Sequence, residues 1–98
     1  MAEHNYVTGL YGLGICYARG NYFNRDIDKS INLITKAAEY GYIEAQWYIG
    51  VYYISIGSQQ NSKDSYLNYE YGVAWLKRAA KGGSQSAIEI LKKIGYTI

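Results

Sequence analysis

Apolar and small residues recur along this chain three and four positions apart. Gly9, Leu13 and Tyr17 fall at i, i+4 and i+8, and Leu33, Ala37, Tyr40 and Trp75, Ala79, Gly82 follow at four and three or four and three again. Such intervals place each trio on one face of a helix. They predict five helices over about 5–19, 27–40, 43–56, 67–82 and 85–94. The fold class expected is all-α. Asp26 stands where it would cap the helix carrying Lys29 to Glu39, and Gly41 and Gly83 stand where left-handed residues end helices. Proline is absent, so nothing interrupts these segments. Gly14 and Gly50 each follow an apolar residue. A glycine inside a helix costs about 1 kcal/mol against alanine, so its recurrence points to close approach of neighbouring helices.

The pattern also repeats on a longer scale. Gly9-x-x-x-Leu13-Gly14-x-x-Tyr17-x-x-Gly20 returns as Ala45-x-x-x-Ile49-Gly50-x-x-Tyr53, with Gly57 one place late. A second segment follows each block. The first runs Asp26-x-x-Lys29-Ser30-x-x-Leu33-x-x-Lys36-Ala37-Ala38-x-x-Gly41, the second Tyr71-Gly72-x-x-Trp75-x-x-Arg78-Ala79-Ala80-x-x-Gly83. Ala87-x-x-x-Leu91 then opens a third, incomplete unit. The second unit is six residues longer than the first, from Ala45 to Ala87 against Gly9 to Ala45. The extra length is expected in a polar loop at 57–66, with Tyr66 and Tyr69 at its far edge. The whole chain, 1–98, reads as one domain: repeat 1 over about 7–41, repeat 2 over about 43–83 and a capping helix over 85–94.

Composition sharpens this in two ways. Ten basic and eight acidic side chains give a net charge of +2, too little to require a polyanionic partner. Thirteen tyrosines against one phenylalanine supply rings with a polar tip, suited to half-buried positions and interfaces. No apolar run reaches membrane-spanning length, no secretory signal is visible, and the single cysteine fits a reducing compartment, so a cytoplasmic location is expected.

Chemistry is sparse. His4 is the only histidine, so a histidine metal site or catalytic triad has no material, and no cofactor or enzymatic activity is expected. Cys16 reads as a buried small hydrophobe. Asp26 and Asp28 read as helix-start acids rather than a catalytic pair. Gly9-x-x-Gly12-x-Gly14 lies within a helical repeat, not between a strand and a helix, which removes the phosphate-loop reading. Lys77, Arg78, Lys81, Lys92 and Lys93 gather near the C-terminus around Glu89. A solvated face explains them first, an acidic protein surface second and nucleic acid third.

Taken together, the two blocks resemble the Sel1-like repeat, a relative of the tetratricopeptide repeat, over about residues 7 to 91. Gly9 and Ser30 stand where the family favours alanine, Tyr71-Gly72 where it favours Lys-Ala, and Lys92 and Gly95 where glycine and tyrosine are usual. The resemblance implies a short α-solenoid of antiparallel helix pairs. It also implies use as an adaptor or scaffold without catalysis, and in bacteria as a virulence factor, signalling component or immunity protein that neutralises a toxin.

An α-solenoid carries a concave face lined by the first helix of each pair. The positions there outside the repeat consensus are Tyr11, Ile15 and Arg19 in the first unit and Trp47, Val51 and Ile54 in the second, with Tyr48 and Tyr52 as a neighbouring stripe. Tryptophan, tyrosine and arginine are the types enriched at binding hot spots. The expected partner is another protein, either a toxin held by an immunity protein or a peptide or helix held by an adaptor. No small-molecule substrate or membrane is expected, nucleic acid is disfavoured, and self-association through the exposed solenoid ends is a further expectation.

Overall fold

A computed structural model describes residues 2–20, 24–59 and 63–96. Five helices follow in order: α1 (Ala2–Arg19), α2 (Ile27–Glu39), α3 (Ile43–Gln59), α4 (Lys63–Lys81) and α5 (Gln85–Lys93). No strand occurs among the described residues. The fold is all-α, as the periodicity predicts.

Local signals set most of the helix ends. Asp26 takes extended φ and ψ, and its Oδ1 accepts from the Lys29 amide at 3.0 Å. Gly41 and Gly83 adopt φ of +96° and +105°. At α2 the Tyr42 amide donates to the Ala37 carbonyl and the Gly41 amide to Ala38; at α4 Ser84 and Gly83 donate to Ala79 and Ala80 in the same way. This paired closure satisfies carbonyls that the helix itself leaves open. Ser84, which the sequence pattern does not single out, caps α5 by accepting from the Ala87 amide at 3.2 Å. Gly95 follows α5 with φ +95°, as Gly41 and Gly83 follow α2 and α4.

Two expectations are corrected. The helix over 5–19 begins earlier, at Ala2. The loop over 57–66 is helical at both of its described ends, since α3 runs through Gln59 and α4 starts at Lys63; residues 60–62 lie outside the described ones. The reason is tertiary. Gly57 is buried in α3, and a Cβ there would meet the Ser65 carbonyl oxygen at 2.6 Å and the Tyr69 backbone nitrogen at 2.7 Å. The two backbones pack against each other where polar composition alone reads as a loop.

Neighbouring helices run antiparallel. Tyr6 meets Tyr40, Gly14 meets Ser30 and Ile34, and the Asp26 amide donates to the Tyr17 carbonyl, so α1 and α2 form a hairpin. Gly50 meets Gly72 and Leu76, Gly57 meets Ser65 and Tyr69, and Gly82 meets Ile43, so α3 and α4 form a second, with the most extensive contact in the molecule. The units superpose contact for contact: Gly14 sits over Ser30 and Ile34 as Gly50 sits over Gly72 and Leu76, forty-two residues on in the second helix. The molecule is a slab of 36 × 30 × 17 Å. Its thin dimension fits two helix layers, since one interaxial distance and two backbone radii come to about 14 Å.

Two core clusters follow the units. The first joins Val7, Ile31, Ile34, Ala37, Ala38, Ala45, Ile49 and Trp75; the second joins Val73, Leu76, Ala79, Ala80, Ala87 and Leu91. Ala45, Ile49 and Trp75 of unit 2 thus close the cluster of unit 1. Their counterparts Gly9, Leu13 and Leu33 lie outside the buried clusters. Leu13 is 40% exposed where Ile49 is 0% exposed. The predicted Gly9–Leu13–Tyr17 face is therefore not the one that α1 buries; Val7, Leu10 and Gly14 pack inward instead. Gln46, buried in α3, donates from Nε2 to the Ala38 carbonyl at 3.2 Å and ties the units together.

Glycines at the helix crossing and at the open end should respond oppositely to alanine. At Gly72 a Cβ would meet the Gly50 carbonyl oxygen at 2.6 Å and the Ile54 nitrogen at 2.7 Å, backbone that cannot yield without moving the helix. Gly72→Ala should cost about 3 kcal/mol, a fall of roughly 15 °C in thermal midpoint. At Gly9 nothing lies within 4 Å. Gly9→Ala should gain about 1 kcal/mol, roughly 5 °C. Thermal unfolding by circular dichroism reads both. The same measurement tests Ser30, fully buried with its Oγ unpartnered. Ser30→Ala removes a desolvated hydroxyl and should raise stability by about 1 kcal/mol; a loss would show that the hydroxyl is needed.

Candidate functional site

The first helices of the units, α1, α3 and α5, border one face, and two depressions lie on it among the described residues. One depression, of about 380 Å³, is lined by Tyr11 from α1, Ile43, Glu44 and Trp47 from α3, and Ser84 and Ser86 at the start of α5. The other, of about 280 Å³, is lined by Trp47, Tyr48, Val51, Tyr52 and Ser55, all on α3. Trp47 belongs to both, so the two are neighbours. At 100° per residue, positions 44, 47, 48, 51, 52 and 55 fall within an arc of about 140°. Other positions of α3 are engaged in packing: Ala45 and Ile49 face unit 1, and Ile43, Gly50, Ile54 and Gly57 face α4.

Tyr11, Trp47, Tyr48, Val51 and Tyr52, proposed from sequence, come together here. Tyr11 stacks between neighbours, 5.2 Å from the Tyr42 ring and 6.3 Å edge-on to Tyr48. Trp47 rests on the second core cluster, and its Nε1 is buried with no hydrogen-bond partner. The indole therefore offers this face its ring and not its N–H. Ile15, Arg19 and Ile54 line neither depression. Ile15 packs half-buried on the first core cluster, and Arg19 is exposed in the last turn of α1. Ile54, half-buried, packs toward α4: its backbone nitrogen and side chain lie where a Cβ on Gly72 would go. The four-then-three spacing of Trp47, Val51 and Ile54 carries the third residue round to α4.

Glu44 is the residue that the sequence reading passes over. It is the one charged residue of α3, exposed in the first turn, and the one formally charged group lining either depression. That isolation in a 17-residue helix was the available signal. Burial, and then the Glu44 carboxylate, raise the Tyr11 pKa above its usual 10.0, while Arg19 pulls it down as the smallest influence. Glu44 is thus the largest charge influence on Tyr11, after burial. Tyr53 is raised too, by burial and by its neighbours Tyr71 and Tyr52.

The remaining candidates take other places. Of the C-terminal bases, Arg78 lies over the Trp75 ring at 4.5 Å and Lys77 over Tyr96 at 4.9 Å, so both rest on the molecule's own rings. Tyr69 packs on the second core cluster, and the Tyr66 and His4 side chains lie outside the described residues. Cys16 is a free thiol, half-buried and not fully buried as expected. Among the described residues no group of three or more metal-ligating side chains converges, and no helix is long and apolar enough to cross a membrane.

Tyr11 and Tyr53 make stability sensitive to alkali. With folded pKa values above the unfolded one, both hold protons that the unfolded chain releases. Their stabilising contribution is complete below about pH 10 and is lost as pH rises toward the folded pKa values. The thermal midpoint should therefore fall above about pH 10, and the fall should be shallower in Tyr11→Phe and in Tyr53→Phe. Equal slopes in wild type and variants would contradict the assignment.

No family model matches the chain, and neither a curated protein nor a solved structure matches it. The geometry of the α1–α3–α5 face carries the functional reading.

Proposed function

We propose that this chain is a non-enzymatic protein-binding scaffold whose α1–α3–α5 face holds a segment of another protein. The observation that carries this is the pair of adjoining depressions around Trp47, which combine aromatic and aliphatic side chains with Glu44 and a few serines. Concave, mostly apolar sites with a few polar groups are what ligands and peptides occupy, and tryptophan and tyrosine dominate binding energy at interfaces. The most specific form of the proposal is a bacterial immunity protein acting in the cytoplasm on a toxin. It is supported by the resemblance of the two units to Sel1-like repeats. A second form, an adaptor in signalling or secretion, is favoured by the size of the depressions, which suits a few side chains of a peptide or helix.

Affinity capture with wild type and with Tyr11→Ala, Trp47→Ala and Tyr52→Ala tests it. Each variant should weaken a captured protein by about tenfold or more. Tyr11 and Tyr52 are half-buried at the rim of the first cluster, so these two report on binding even if Trp47→Ala loosens the second cluster. Undiminished capture by all three would refute the assignment of the face. One dominant partner held at nanomolar affinity supports the immunity form, and several at micromolar affinity support the adaptor form.

A further inference from the structure

The two depressions differ in character. The one along Tyr48, Val51 and Tyr52 has no charged group. The one at the start of α3 and α5 combines the Glu44 carboxylate with the rings of Tyr11 and Trp47 and the hydroxyl of exposed Ser86. A cation over an aromatic face is attracted by the ring quadrupole, and a carboxylate beside it adds a charged acceptor. The buried Trp47 N–H leaves only π surface for a ligand to meet. The α3 and α5 N-termini also point at this depression and by themselves would draw an anion. Ser84 takes up one of the free amides of α5, and Glu44 sets a full negative charge against the half charge at the start of α3. At about 380 Å³ the space is near the small end of ligand sites and suits one long side chain.

We propose that this depression receives a lysine or arginine side chain of the partner protein, its charged head against Glu44 and its stem along the Tyr11 and Trp47 rings. The neighbouring uncharged depression takes an adjacent apolar side chain, so the recognised segment pairs a basic with an apolar anchor. The inference rests on the protein-binding reading of the same face and adds its chemical selectivity.

Blocked peptides test it directly. Acetyl-Gly-Lys-Gly-Leu-Gly-amide is titrated against full-length protein, with counterparts carrying Arg, Gln or Glu in place of Lys, and binding is read from the amide NMR signals of Glu44, Trp47 and Ser86. Wild type should bind the Lys and Arg peptides roughly fivefold more tightly than the Gln peptide, with a preference that shrinks as salt rises. Glu44→Gln should abolish the preference and leave the Gln peptide unaffected. Glu44→Lys should turn it toward the Glu peptide. Glu44 is exposed, so neither substitution disturbs the core. Equal binding of the Lys and Gln peptides by wild type, or a preference for the Glu peptide, overturns the inference while leaving the face a peptide site. Absence of any shift with all four peptides overturns both.

Discussion

The rest of the molecule is arranged around the backbone contact between α3 and α4. Gly50 and Gly57, two turns apart on α3, meet Gly72 and the Ser65–Tyr69 stretch of α4 at distances that no side chain could share. Close approach of this kind fixes both the separation and the rotation of the pair, because turning either helix would drive a Cβ into backbone. With that rotation set, Ala45 and Ile49 must face unit 1, and positions 44, 47, 48, 51, 52 and 55 must face outward. The candidate face is thus the side of α3 turned from both neighbours, its side chains half-buried against the core. This explains why α3 lacks the amphipathic stripe of an ordinary surface helix. It is apolar toward α4, apolar but for Gln46 toward unit 1, and largely aromatic on the candidate face, with a single carboxylate.

What the sequence made legible is what depends on near neighbours along the chain. The Asp26 cap and the left-handed Gly41 and Gly83 are each decided within one turn, and each stands where the pattern put it. The repeat was legible for the same reason, since its two copies carry equivalent contacts. Position in the stack was not. Leu13 and Ile49 occupy one motif position, yet Ile49 is buried against unit 1 and Leu13 is exposed. The polar stretch after Ile56 could not be read as helix, because what extends the helices there is contact between two backbones far apart in sequence. On the candidate face, helical spacing found five of the contributing residues. It missed Glu44, whose significance lies in the absence of any other charge around it, and it took in Ile54, which lies just across the boundary toward α4.

The abundance of tyrosine follows from the same economy of space. Tyr53 contacts Tyr52 at 5.3 Å and Tyr71 at 4.7 Å, Tyr71 reaches Trp75, and Arg78 closes the row. The row runs along the second hairpin, where a small domain has few aliphatic side chains to spare. Unit 1 carries the same junction in reduced form, with Lys29 over the Tyr17 ring at the positions of Tyr71 and Tyr53. At the inner junction ring meets ring; at the open end a solvated ammonium covers the ring instead. Burial does not distinguish the two sites, since Lys29 and Tyr71 are both exposed and Tyr17 and Tyr53 both half-buried.

Tyr11 belongs to the opposite regime. It has a ring neighbour on either side, Tyr42 and Tyr48, and a carboxylate near its hydroxyl, yet it lines open space. It packs on the first core cluster from one side and leaves its other side to the depression. An aromatic wall held in place by other rings is pre-organised: little side-chain freedom is left to lose on association. Such a wall gains most from a guest whose charge is spread over a plane or carried on a long apolar stem, which are the two ways arginine and lysine present themselves. The glycine contact that looks purely structural and the aromatic depression that looks purely functional are therefore one device, the first holding still what the second offers.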